Sequence, residues 1–514
     1  MTPGKRRKKR SRERGVALIL VLGALTILAV MLTDFQDETS AELGSALSAR
    51  DGLKAEYAAR SAISLARLLI AAEPTIRKSV AIFFIGNSGG PPQIPVWQFA
   101  DQVLGAFNDS TGQLKFSSLA SVNMEKGKKL GLEGAGFDLE IIDEDSKINL
   151  NSGSRDPLSQ GRLAAQIMAL ISPLQYETLF TNRDGDGQYS DRLQTCAAIL
   201  DWADPDVNQA TCDLLRAAQG PSLTPEDSFY QMLDPPYFRK NAPYDSLEEL
   251  HNVRGVSDDF WSTFIDPDPN DPTRRNVTVW GTGKVNVNTA NPQTLYAVIC
   301  QAGNGAAAQA KMCIDPMEAA KFLAAVNMVR MFTMGAPIFS SATGFINTLK
   351  QQTPIGMMLK QFLNMDPIVF GSEAEVKKML SAESKVFSII ATGRVKSGQR
   401  DTRVRIHAVV DFRNAPTPAQ LLANSLPPGA AAALGLGGVG GTSGIGGGTG
   451  LGAAGLPGMG LGTGFGTDVT NAMPYAGFVQ GQLPANAPAG ATMDGVFAYL
   501  MPSPGGRIVY FRTE

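Results

Sequence analysis

Histidine and cysteine are scarce in this 514-residue chain: two of the first, His251 and His407, and four of the second. That scarcity excludes a histidine-rich zinc centre and argues against Ser-His-Asp hydrolase chemistry. An excess of one charge sign is missing too. The 46 Lys and Arg nearly balance 48 Asp and Glu, and 44% of residues are hydrophobic, so the composition is neither that of a disordered chain nor that of a polyanion binder. Proline is absent from Val16 to Glu73, so nothing there need interrupt a helix. Charged residues are absent from Asn414 to Thr467, and 18 of the 38 residues from Gly429 to Gly466 are glycine. Such a segment cannot bury enough apolar area to offset its chain entropy and reads as a linker or loop.

The near-zero charge averages two unequal parts. Eight Lys and Arg against Glu13 give the first 14 residues +7, which leaves −9 for the rest of the −2 total. Val16 to Leu32 follows, apolar apart from Gly23 and Thr26. As a helix it spans about 25 Å, slightly short of a bilayer core but within the tolerated range. The basic flank would stay on the cytoplasmic side and place the remainder outside. A Sec signal peptide has the same order of parts, but this run is longer than a usual signal core and no small-x-small cleavage site follows directly. Asp34, Asp37, Glu38 and Glu42 instead continue helical composition, expected to reach Ala72 and stop at Pro74, a rod of about 80–85 Å. Leu43, Leu47, Leu53, Tyr57, Ile63, Leu65, Leu68 and Leu69 supply its amphipathic spacing.

Phe137 to Ile142 alternates as a strand. Lys385 to Lys396 and Thr402 to Phe412 read as a hairpin, and Arg507 to Arg512 as a last short strand. Between them lie helical patterns at Gly161–Phe180, Cys196–Ala203, Ser246–Val253, Pro292–Ala302, Pro316–Phe332 and Glu373–Leu380. A helical block between strands of one sheet is an α+β layout rather than an alternating βαβ one.

Asn182, Asp184 and Asp186, then Gly187 and Gln188, resemble the first half of a calcium loop, but the twelfth position is Leu193, not glutamate; Asp191 is the nearby substitute. An ordinary Asp/Gly turn fits the same residues. Asp201 and Asp204 share a helix face that Pro205 ends before Asp206, with Glu226 and Asp227 further on; capping and solvation explain these acids as well as a metal does. Cys196 and Cys212 stand sixteen apart, Cys300 and Cys313 thirteen apart. The spacing favours disulfides within each pair among three connectivities, with buried thiols the alternative. Tyr244 to Val256 resembles a helix-hairpin-helix and Asn286 onward the start of another, a DNA-binding element of competence-type receptors. The charge of −9 and the Asp258-Asp259 pair beside the hairpin disfavour phosphate.

The basic leader, Arg14-Gly15 and the run Val-Ala-Leu-Ile-Leu-Val-Leu resemble a type IV prepilin leader. In order along the chain, IIDEDSKINLN, LDWADPD, PEDSFY, YDSLEELHNVRGV and GKVNVNTANPQTL resemble the minor pseudopilin K family of type II secretion systems. Most prepilins carry Glu at the fifth mature position; this chain has Leu20, and the K family lacks that glutamate as well. The resemblance implies a fold of α+β class: a pilin-like long N-terminal helix plus antiparallel sheet, with a large all-helical domain inserted between strands. It implies a leader at 1–15, a transmembrane and pilin helix at 16–74, and the first pilin-like part at 75–151. The insertion would occupy 152–380 and the hairpin 381–413; composition, not the resemblance, marks the glycine-rich segment and loop at 414–500 and the last strand at 501–514. It further implies cleavage by prepilin peptidase between Gly15 and an N-methylated Val16, and a single-pass inner-membrane location with the bulk in the periplasm. Implied partners are the I and J minor pseudopilins, secreted substrates and the secretin, without nucleic acid. Asp201, Asp204, Asp206, Glu226 and Asp227 would be calcium ligands, so one or two calcium ions are expected, and no catalysis.

Overall fold

The computed structural model describes residues 13–80, 90–108, 132, 134–154, 156–183, 189–213, 226–233, 235–301, 311–370, 372–398, 400–416 and 505–513. Its main helices are α1 (Glu13–Val80), α2 (Ala100–Leu104), α3 (Pro157–Ile171), α4 (Arg192–Ala203), α5 (Pro292–Gln301), α6 (Pro316–Phe332), α7 (Ala342–Leu349), α8 (Pro354–Leu363) and α9 (Glu373–Met379). The strands are β1 (Ala135–Asp143), β2 (Ile148–Asn149), β3 (Val277–Thr278), β4 (Val285–Asn286), β5 (Leu380–Ser381), β6 (Val386–Ser397), β7 (Arg400–Asp411) and β8 (Arg507–Thr513).

Helix α1 runs for 68 residues, about 100 Å. It does not stop before Pro74, as the proline suggested, but continues to Val80. Pro74 removes one backbone donor, and side chains clamp the helix across the gap. Glu73 Oε2 lies 2.8 Å from Arg77 Nη2, Glu73 Oε1 accepts the Ile94 N–H, and Arg77 also pairs with Glu383.

Strands β1, β6, β7 and β8 form one antiparallel sheet in the order β1-β6-β7-β8. Period-2 alternation sends Phe137, Leu139, Ile141, Ile389, Ala391, Ile406 and Ala408 to the face beneath α1. The helix meets that face through small residues: Ala55, Ala58, Ala59, Ala62 and Ala66 are almost fully buried, whereas Leu43, Leu53, Tyr57 and Leu68 remain exposed. The sequence's apolar stripe is therefore split: these four point outward, while Ile63 is buried and Leu65 and Leu69 pack against the sheet core. Close approach to Gly393 of β6 admits only alanine-sized groups. Arg67 ties the start of β8 to the same helix, donating to the Gly505 carbonyl at 2.6 Å and the Gly506 carbonyl at 2.8 Å.

The insertion leaves the sheet after Asp143 and returns before Val386, two positions beside each other in the β1/β6 ladder, and it has a hydrophobic core of its own. It is not wholly helical. Two units of one plan follow each other, each held by a two-stranded parallel ladder, β2 with β3 and β4 with β5. Each opens on a matching phrase, Lys147-Ile-Asn-Leu-Asn151 and Lys284-Val-Asn-Val-Asn288. In each, the first asparagine accepts the N–H of the second at 2.9 Å. The second then staples two distant strands of backbone. Asn151 donates to the Tyr244 and Val279 carbonyls, and Asn288 to the Phe339 and Ala382 carbonyls. A helix headed by proline, α3 or α5, comes next in each. Gly161–Phe180 is not one helix, because α3 ends at Ile171 ahead of Pro173, and Leu247–Asn252 winds as 3₁₀ rather than α.

Candidate functional site

The first candidate is the N-terminal part of α1. Its best 18-residue window has mean hydropathy 2.8 and no buried residue, long and apolar enough to cross a membrane. The polar groups within it are satisfied locally: Thr26 and Thr33 donate to the Gly23 and Val30 carbonyls at 2.8 Å. The Gly15–Val16 junction lies inside the first turns of this helix, and Leu20 projects outward at 68% exposure.

The second is the joint where the insertion meets the sheet. Asp143, Glu144, Asp145 and Lys147 are all buried there. Asp143 accepts the Asp145 N–H at 3.0 Å and, through Oδ2, the Thr289 and Ser384 hydroxyls at 2.5 Å each. Asp145 accepts from the Thr282 N–H and hydroxyl with one oxygen and from the Lys385 and Val386 N–H groups with the other. One short acidic turn thus pins the end of the first unit, the start of the second and the returning chain. Burial, reinforced by neighbouring Asp145, pushes the Asp143 carboxyl up to about 7, and burial also raises Asp145. Burial opposes ionisation of Glu144 as well, but Lys147 and hydroxyl donors outweigh it and leave that carboxyl below its ordinary value.

The acids expected to hold calcium are placed as follows. Asn182 is exposed at the end of the turn Thr178–Thr181, and Asp184, Asp186 and Gln188 lie outside the described residues. Asp191 caps α4 by accepting the Gln194 N–H at 2.7 Å. Asp201 is buried, accepts the Ala210 N–H at 2.7 Å, and is pushed up to about 7 by burial. Asp204 accepts from Gln160 and from the Asp206 N–H, and Asp206 from the Asn208 N–H. The Glu226 side chain is outside the described residues.

Among these acids sits a cation that sequence reasoning passed over. Arg239, 5% exposed, donates to the Asp201 carbonyl at 3.0 Å and the Asp206 carbonyl at 2.6 Å, and its Nε lies 3.2 Å from Asp227 Oδ1. Among the described residues no three His, Cys, Asp or Glu side chains converge on a metal position. Four of the ten expected ligands, Asp184, Asp186, Gln188 and the Glu226 side chain, lie outside those residues, and the buried Asp201 carboxyl is the described group whose desolvation a cation would relieve.

Both within-pair disulfides are formed, Cys196–Cys212 with Cα atoms 6.1 Å apart and Cys300–Cys313 with 5.5 Å. The helix-hairpin-helix phrase is built into the domain. Gly255 has φ +82°, and a Cβ on it would meet Thr195 and Ser190 at the start of α4. Arg254 lies 4.5 Å over the Phe229 ring and donates to Gln194. The glycine that would approach a phosphate is turned to α4, and its arginine is held by protein groups.

No protein-family model matches the chain, and no curated protein matches it. Among solved structures, the chain is similar to one in the crystal structure of the GspK-GspI-GspJ complex from the type 2 secretion system of enterotoxigenic Escherichia coli. The identity is 14%, covering 73% of this chain and 94% of that one, with a TM-score of 0.37.

Proposed function

We propose that the chain is a minor pseudopilin of the K type, seated at the tip of a type II secretion pseudopilus and serving assembly and export without catalysis. The observation that carries this reading is α1. Its first part is apolar and bare, and its second part is clamped through alanines to a sheet interrupted by a large insertion. Prepilin peptidase would cut after Gly15, leaving Val16 as the mature terminus and the following span in the inner membrane, with the bulk in the periplasm. In a fibre of parallel helices a glutamate at the fifth position neutralises the terminal amine of a neighbouring subunit. Leu20 cannot, which suits a subunit with no neighbour above it, and the insertion would obstruct addition there. The I and J minor pseudopilins would pack on the exposed leucine stripe; secreted proteins and the secretin would meet the tip.

Calcium belongs to this proposal as a structural ion. The loop Asn182 to Asp191 and the acids Asp201, Asp204, Asp206, Glu226 and Asp227 would hold one or two ions and cross-link neighbouring loops. The functional test is export. Deleting the chain from a cell that uses it should leave secreted proteins in the periplasm, and normal export would overturn the reading.

A further inference from the structure

The second unit of the insertion holds a small apolar pocket with one charged side chain in its wall. The cavity, about 50 Å³, lies among α5, α6, α7 and α8, with Leu295, Phe322, Leu349, Ile355 and Leu359 around Arg330. That volume is several times the roughly 10–15 Å³ one water needs and well under the roughly 150 Å³ that holds benzene, so it accepts an aliphatic tail of about three carbons.

Arg330 differs from three other withdrawn arginines of this protein, while Arg67, like it, donates to backbone carbonyls and is shifted down by burial. Arg77 pairs with Glu73 and Glu383, Arg239 with Asp227, and Arg275 with Asp266. Arg330 instead donates to the Ala290 carbonyl, and no lining residue of the pocket is acidic. Burial lowers its pKa, and among the described residues no carboxylate counters it. A desolvated guanidinium beside an apolar cavity is a costly arrangement that an anionic ligand relieves. A bidentate carboxylate is the group its planar fork best receives.

We propose that this pocket binds a carboxylate bearing a short aliphatic tail, with the tail among Phe322, Leu349 and Leu359 and the carboxylate on Arg330. Met331, Phe332 and Met334, beside Arg330 in the chain, are exposed, so the carboxylate can also belong to the apolar C-terminal residue of a polypeptide. The site is separate from the acids and α1 features that bear on secretion, and neither proposal depends on the other.

The experiment uses the full chain in uncharged detergent, followed by side-chain NMR or thermal shift against matched sodium chloride. Butyrate represents the free acid, and a Gly-Gly-Val peptide with a free C-terminus represents the polypeptide source. Butyramide and the C-terminally amidated peptide are the controls. Saturable binding of either acid, about tenfold or more tighter than its amide, supports the site and identifies the source. Arg330→Met should abolish the preference for acid over amide. Ala336→Phe, at an exposed lining position, should weaken all the ligands without disturbing the fold, and decides the matter should R330M fail to fold. Failure of both acids to saturate at about 50 mM, equal binding of acid and amide, or binding unchanged in the folded variants overturns the proposal.

Discussion

Gly393 of β6 lies directly beneath Ala55 of α1, so close that a side-chain carbon on the glycine would overlap the Ala55 carbonyl oxygen. Because the obstacle is backbone, no rotamer change relieves it. Gly393→Ala should lift α1 from the sheet and cost about 3 kcal/mol in urea unfolding. Gly52→Ala on α1 is the contrast, with nothing within 4 Å of the added carbon. It should be neutral or stabilise by up to about 1 kcal/mol through helix propensity. Equal effects would show that the contact does not limit packing.

The Asp143 joint should make stability pH-dependent. Its folded pKa, about 7, stands above the ordinary 3.8, so the native state holds a proton that the unfolded state has released. The stability Asp143 contributes is complete below about pH 4 and is lost as pH rises towards and through 7. Asp145, Glu144 and Lys147 share the joint. Asp143→Asn, which keeps the shape without the charge, should flatten this part of the profile and compare more favourably with the parent at pH 8 than at pH 5. Parallel denaturation profiles would contradict it.

Arg239 holds the loop after α4 by two backbone carbonyls and Asp227. Arg239→Met should cost about 3 kcal/mol by leaving buried acceptors unpaired. Calcium is tested separately with the parent chain. EDTA should lower its melting temperature and added calcium should restore it. A melting curve indifferent to EDTA would remove calcium from the account.

The two disulfides close loops of sixteen and thirteen residues, each worth about 3 kcal/mol of chain entropy. Replacing either pair by serines should lower stability by an amount of that order. Peptide mapping without reduction should recover Cys196 joined to Cys212 and Cys300 joined to Cys313. Cross-pair peptides would contradict the connectivity.

Features written in contiguous residues were legible in the sequence. The apolar span, the β6/β7 hairpin and β8 each depend on local composition and alternation. The packed face of α1 was legible only in part, through Ile63, Leu65 and Leu69, because apolar spacing does not say whether protein or something else covers each residue. Gly393, more than 300 residues away, decides that alanine faces the sheet. The two units of the insertion announce themselves in Lys147–Asn151 and Lys284–Asn288, yet the meaning of those asparagines emerges only when each meets its distant carbonyls. Arg239 carried no sequence signal at all. Its role is set by the Asp201 and Asp206 carbonyls, and acid-counting draws the eye to carboxylates instead.

The central claim is tested most directly by the N-terminus of the mature protein extracted from membranes. The account predicts a chain beginning at Val16, N-methylated, with the apolar span retained. A chain beginning beyond Leu32 would show signal-peptide cleavage and contradict it.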